Sequence, residues 1–207
     1  SLNELGWVTV VPVTAGNTYG FGAAPVSDTA FYVRVRGSNP RGEYFLLENR
    51  QASQSDTAMI RVRCQRSTAP VNCPGGLLVW HVDSAQVVNG AFNNAVDSGA
   101  IHGLALVQAD GLNDLNTPPN RGDAGDPYPG IAKPSTPSPL NPNTAFSFAT
   151  TPAATRNSDG SFVGFAIDSV RQVVANGLMR FRLRFGQALV FTAGAHGVVN
   201  YSPPADS

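Results

Sequence analysis

The segment Leu178-Met179-Arg180-Phe181-Arg182-Leu183-Arg184-Phe185 decides the fold class. Met179, Phe181, Leu183 and Phe185 alternate with Arg180, Arg182 and Arg184. A period of two places the apolar residues on a core face and the arginines on a solvent face, so the segment is predicted to be a half-buried β-strand. Phe31 to Arg36 alternates in the same way, with Phe31, Val33 and Val35 on one face. Glu43 to Asn49 sets Phe45, Leu47 and Asn49 against Tyr44, Leu46 and Glu48, and Ala58 to Cys64 alternates again. Leu77 to Val82 is nearly continuous in apolar residues, the pattern of a strand buried on both faces, with Trp80 as a core anchor. Leu104 to Gln108 repeats that pattern, and Trp7 to Val13, Phe146 to Ala149 and Val163 to Val170 complete the set. Ser84 to Val96 alone suggests a short helix. The expected fold is all-β, an antiparallel β-sandwich with long loops and little helix.

Composition agrees. The 207 residues include 21 glycines and 16 prolines, which suit many turns. Thirteen arginines stand against one lysine, Lys133, and eleven aspartates against three glutamates, Glu4, Glu43 and Glu48. Aspartate favours turns and caps, whereas lysine and glutamate favour helix surfaces. Acidic and basic residues cancel to a net charge of zero, which gives no electrostatic footprint for nucleic acid or an anionic membrane. The sequence holds no apolar run of the roughly 18 residues needed to span a bilayer. Ser1-Leu2-Asn3-Glu4 does not read as a signal peptide, so the chain is expected to be a mature or excised piece. Residues 1–186 are read as one β-sandwich domain. Residues 187–207 are read as a terminal hairpin or tail, or the start of another module, able to pair with a sheet edge.

Cys64 and Cys73 enclose a short proline-containing loop, and a local disulfide is the preferred reading over two free thiols. It would stabilise by roughly 2–3 kcal/mol and place the protein outside the cytosol. The residues from 109 to 145 lack regular pattern and need a reason to be so long. Asp110, Asp114, Asp123 and Asp126, interspersed with glycines, supply one: a calcium site built from carboxylate and carbonyl oxygens. The alternative is that Asp-Gly pairs simply make turns. No glutamate closes the loop as in an EF-hand.

Catalytic signatures are missing from the sequence. It contains no His-Glu-x-x-His, no Gly-x-Ser-x-Gly elbow and no glycine-rich phosphate loop. His81 and Asp83 lie two apart on one strand and are read as structural; a hydrolase that uses them with a serine is a third reading of function. Arg121-Gly122-Asp123 is an adhesion tripeptide by spelling only, and Asn200-Tyr201-Ser202 a chance-level glycosylation sequon. Glu48 is expected to be half-buried and to find an arginine, Arg50, Arg61 or Arg63.

Five segments taken in order resemble a known family. They are Leu5-Gly6-Trp7-Val8, Glu43-Tyr44-Phe45-Leu46-Leu47-Glu48-Asn49-Arg50-Gln51, Gly76-Leu77-Leu78-Val79-Trp80-His81-Val82-Asp83, the run from His102 to Gly111, and Gly122-Asp123-Ala124-Gly125-Asp126-Pro127-Tyr128-Pro129-Gly130. Together they are similar to the region C-terminal to the catalytic domain in secreted bacterial zinc metalloproteases of the immune inhibitor A type (M6-like), over residues 3–185. The resemblance implies a secreted, non-catalytic accessory domain. Zinc would belong only to a missing catalytic domain, carried in the same precursor as this chain's partner. Because such proteases are calcium-stabilised as a class, it also supports metal binding by the acidic loop without identifying ligands. The cysteine loop departs from the family pattern. The reading from another class is an extracellular structural or adhesive domain that self-associates into fibres through its C-terminal tail.

Overall fold

The computed structural model describes residues 9–23, 27–51, 75–116, 122, 125–129, 143–173 and 177–186. The strand expected at 58–64, the Cys64–Cys73 bridge, Asp123 and the 187–207 tail lie outside the described residues.

Among the described residues, eight strands form two sheets. The first, five-stranded, has the order β1 (Thr9–Pro12), β3 (Thr29–Arg34), β4 (Tyr44–Arg50), β5 (Gly76–Val82), β6 (Leu104–Leu106). The second, three-stranded, has β2 (Asn17–Phe21), β8 (Met179–Phe185) and β7 (Phe165–Gln172). The two sheets share one apolar core, as expected of a sandwich. Met179, Phe181 and Leu183 of β8 are buried, while Arg180, Arg182 and Arg184 are exposed, as the alternation requires. Across the core, Phe31 meets Phe21 with ring centroids 4.9 Å apart and Phe181 at 5.8 Å. Phe45 meets Phe165 edge-on at 5.1 Å.

One strand pair departs from the antiparallel expectation. β1 pairs with β3 in parallel, Thr9 beside Thr29 through Pro12 beside Tyr32. The reason is topological. After β1 the chain crosses to the other sheet, contributes β2, and returns as β3 in the original direction, a crossover of the kind parallel neighbours need. β2 itself escaped the sequence reading because its core-facing side rests on two aromatic residues, Tyr19 and Phe21, in a five-residue strand that also holds a glycine.

Four local expectations are corrected. β6 covers only Leu104–Leu106, at the edge of its sheet and with Leu104 exposed, so it is not buried on both faces. Trp80 is half-buried and lies outside the core, so β5 is not buried equally on both faces. Leu77 and Val79 face the core, whereas Trp80 stands on the outer face in a row with Tyr32, Leu46 and Leu106 across four strands. Its indole donates to Glu48 Oε2 at 3.4 Å, and Glu48 also meets Arg50 at 2.6 Å, the arginine partner the sequence called for. Residues 146–149 make only isolated bridges, Phe146 to Ile167 and Ser147 to Ala153, because the Thr150 hydroxyl ties Ser147 into a turn. β7 starts at Phe165 rather than at Val163. Gly164 has φ +84°, which interrupts the extended chain, and a Cβ there would stand 2.6 Å from that of Arg36.

The helix is shorter than the Ser84 to Val96 span in which it was expected. α1 spans Ser84–Gly90 and passes into a 3₁₀ turn at Ala91–Asn93, and Asn94 at φ 52° in the left-handed region closes the segment.

Phe45 is fully buried and touches His81, Phe146 and Phe165, so Phe45→Ala should cost about 3–5 kcal/mol. Trp80→Ala, at a half-buried site, should cost about 1–2 kcal/mol. Urea unfolding of the two variants checks the order, and the reverse order would mean that the core lies on the other face of β5.

Candidate functional site

Among the described residues, two assemblies of buried polar groups include carboxylates. The first grows from the hairpin before β4. Asn39 accepts from the Glu43 N–H at 2.7 Å and donates to the Glu43 carbonyl at 2.8 Å, which fixes that residue's backbone. The Glu43 side chain then points inward and is fully buried. Its Oε2 lies 2.8 Å from His81 Nε2 and accepts from the Asn157 N–H at 2.8 Å. His81 is stacked on Phe45, centroids 4.3 Å apart.

Asp83, also fully buried, stands beside this pair at the end of β5. Its Oδ1 accepts from the Gln86 N–H at 3.0 Å and so caps α1. Its Oδ2 accepts from Arg41 Nε at 2.5 Å and from the Asn157 amide at 3.2 Å. Burial pushes the Glu43 carboxyl up, but the bonds from His81 and Asn157 outweigh it and hold the group below its ordinary 4.5. The same contest at Asp83, burial against Arg41, the Gln86 N–H and Asn157, leaves it below 3.8.

This assembly ties together the 39–43 turn, β5, α1 and the turn at Asn157. Of its members, sequence reasoning singled out His81 and Asp83 and read both as structural. It missed Arg41, Glu43 and Asn157 as their partners. Asn157 lies 114 residues from Glu43, beyond any local pattern, but a glutamate opening a buried strand was a visible signal.

The second assembly is the acidic loop after β6. Backbone bonds from Ala109 N–H to the Asp126 carbonyl, 2.9 Å, and from Asp110 N–H to the Gly125 carbonyl, 3.1 Å, lay the two aspartate-bearing segments side by side. The second segment continues along the start of β5, where Leu77 and Tyr128 exchange both backbone bonds at 2.9 Å. Asp126 is buried, and Asp110 Oδ2, Asp114 Oδ1 and Asp126 Oδ1 are all shielded from solvent. Asp110 Oδ1 accepts from the Leu112 N–H at 3.0 Å, the turn role that Asp-Gly pairs favour. Asp114 opens a 3₁₀ turn, and buried Gln108 accepts from the Leu115 N–H at 3.3 Å. Tyr128 is fully buried, and its hydroxyl has no hydrogen-bond partner among the described residues. Burial, and then the Asp110 charge, push that phenol up.

The fold therefore brings Asp110 and Asp126 onto adjacent segments, with Asp114 on the turn that follows. Their donor chemistry is all oxygen, the set calcium prefers. Among the described residues, no three His, Cys, Asp or Glu side chains are grouped so as to hold a metal ion. Comparisons with protein-family models, with curated proteins and with solved structures gave no match.

His81→Ala should leave Glu43 buried with only the Asn157 N–H, a loss of about 2–3 kcal/mol measurable by urea unfolding at neutral pH. The carboxyls also set a pH dependence. Groups held below their ordinary values contribute stability in full above those values and lose it as pH falls through the folded ones. The unfolding free energy should therefore be level from neutral to about pH 5 and fall below about pH 4. An acid limb unchanged in Glu43→Gln would remove this pair as the cause.

Proposed function

We propose that the chain is a secreted, non-catalytic β-sandwich domain of a bacterial zinc metalloprotease of the immune inhibitor A type. In this reading it braces the catalytic domain or presents substrate or a surface to it. The observation that carries the reading is the pairing of the two stretches most specific to the resemblance. Residues 43–51 and 76–83 are neighbours, in register from Tyr44 beside Val82 to Arg50 beside Gly76. Their polar residues meet each other, Glu43 with His81 and Glu48 with Trp80, so the resembling residues make one structural unit. The buried charged side chains cross-link strands and turns, which suits a bracing part. The outer row of Tyr32, Leu46, Trp80 and Leu106 offers the aromatic and aliphatic character of an interface with the catalytic domain.

Calcium belongs to the same proposal. Asp110 and Asp126 would hold the ion, with Asp114 and Asp123 completing the oxygen set, and binding would stabilise the folded domain by linkage. The adjacency of the 109–110 and 125–126 segments and the shielded carboxylate oxygens support it.

The test is the natural gene product. A metal-dependent peptidase whose His-Glu-x-x-His helix precedes Leu5 is expected, and removing residues 9–186 should lower its thermal tolerance. A gene without that helix, together with concentration-dependent assembly of the chain, would transfer the reading to a fibre-forming protein. For calcium, the melting temperature should fall in chelator, and Asp126→Asn should abolish most of the difference. An unchanged melting temperature in chelator would remove calcium.

A further inference from the structure

The outer face of the three-stranded sheet carries four arginines, Arg171, Arg180, Arg182 and Arg184, against one aspartate, Asp168. This is a strongly basic face on a chain of zero net charge. Asp168 is already engaged. It accepts from Arg182 Nε at 2.7 Å and meets Arg184 Nε at 2.8 Å. Arg171 and Arg180 have no carboxylate partner among the described residues, and yet they sit directly opposite each other in the β7–β8 register. Like charges directly opposite across a strand pair are destabilising.

The backbone creates that juxtaposition. β7 carries a bulge between Asp168 and Arg171, where Ser169 and Val170 face a single residue of β8. Ser169 lies at φ 56°, a strained conformation for a side chain other than glycine. An unbroken alternation from Phe165 and Ile167 would turn Arg171 toward the core. The bulge shifts the phase, so that Val170 is buried and Arg171 emerges beside Arg180. Arg180 is positioned from its other side by Gly20 of β2. A Cβ on residue 20 would meet Arg180 Cγ at 3.2 Å, so the glycine lets the arginine stem lie across its strand.

Thr18, Ser169, Arg171, Arg180, Phe181 and Arg182 line a cleft of about 200 Å³ here. That is smaller than the roughly 300–1,000 Å³ of sites for drug-sized ligands and suits one anionic group. Guanidinium forks bind oxyanions through paired, charge-assisted hydrogen bonds, and the Thr18 hydroxyl adds a neutral donor, while the Ser169 hydroxyl is held by Asp168 Oδ1 at 2.8 Å. We infer that this cleft is a binding site for a single tetrahedral oxyanion, a sulfate or phosphate group, clamped between Arg171 and Arg180. The ligand relieves the cross-strand repulsion that the bulge imposes. The inference stands independently of the protease reading.

The test is titration of the chain with inorganic sulfate, inorganic phosphate and a sulfated monosaccharide at constant ionic strength balanced with chloride. One saturable site is expected, with a rise in melting temperature that chloride does not reproduce. Arg171→Gln and Arg180→Gln should each weaken binding about tenfold or more. Without anion, both should melt at or above the wild-type temperature, because each removes a like charge. Arg184→Gln, on the same strand but outside the cleft, should leave affinity within about twofold. Tighter binding of the sulfated sugar than of free sulfate would identify the ligand as an ester on a larger molecule, and equal binding would identify the free ion. The proposal fails if chloride stabilises as well as sulfate, or if Arg184→Gln weakens binding as much as Arg180→Gln does, since either means diffuse screening.

Discussion

The pairing of β4 with β5 is the constraint on which the rest depends. It is in register over seven residues and joins the two stretches richest in side chains that face both ways. Inward, Phe45, Leu47, Leu77 and Val79 supply the first sheet's share of the core. At one end of β4, Glu43 and His81 bind the strands to the turn at Asn157. At the other end, Asn49 donates to the carbonyls of Phe21 and Gly177, both at 2.9 Å. Gln51 donates to Asn49 at 2.7 Å and accepts from Gln172 of the opposite sheet at 3.1 Å. A buried polar group left without a partner is costly, and these contacts partner the buried amides while tying the two sheets together at this end.

The acidic loop depends on the same pair. Its second segment reaches the start of β5 through Tyr128 and Leu77, while β6 covers the other half of that strand. β5 thus has β4 on one side and two short partners in succession on the other. Where the chain passes between those partners, Asp110 and Asp126 come together.

How much of this was legible follows from physics. Alternation revealed β3, β4 and β8 because one face of each is in the core and the other is half-buried or, in β8, largely exposed. It failed at Trp80, because an outer row of half-buried side chains looks apolar in sequence without belonging to the core. It failed at β2, whose alternation is short and carried by only Tyr19 and Phe21, between Asn17, Thr18 and Gly20. The polar partners were hidden for a different reason. A glutamate, a histidine and an asparagine far apart in sequence become one assembly only when the sheets are folded. Arg171 was invisible because a bulge changes the phase of alternation, and nothing in Asp168-Ser169-Val170-Arg171 states where the phase changes. The aspartates of the loop were legible as residues, but their adjacency rests on backbone bonds.

The two ends of β4 are fastened by different chemistry. At the Asn49 end the fastening is made of amides and carbonyls, which carry no titratable proton between acid and neutral conditions. At the Glu43 end it is made of carboxylates whose hold depends on their charge. Acid therefore does not act evenly on this sandwich. Protonation weakens the bonds that hold the 39–43 turn, α1 and the Asn157 turn, while the amide bonds of Asn49, Gln51 and Gln172 keep their donors and acceptors at any such pH.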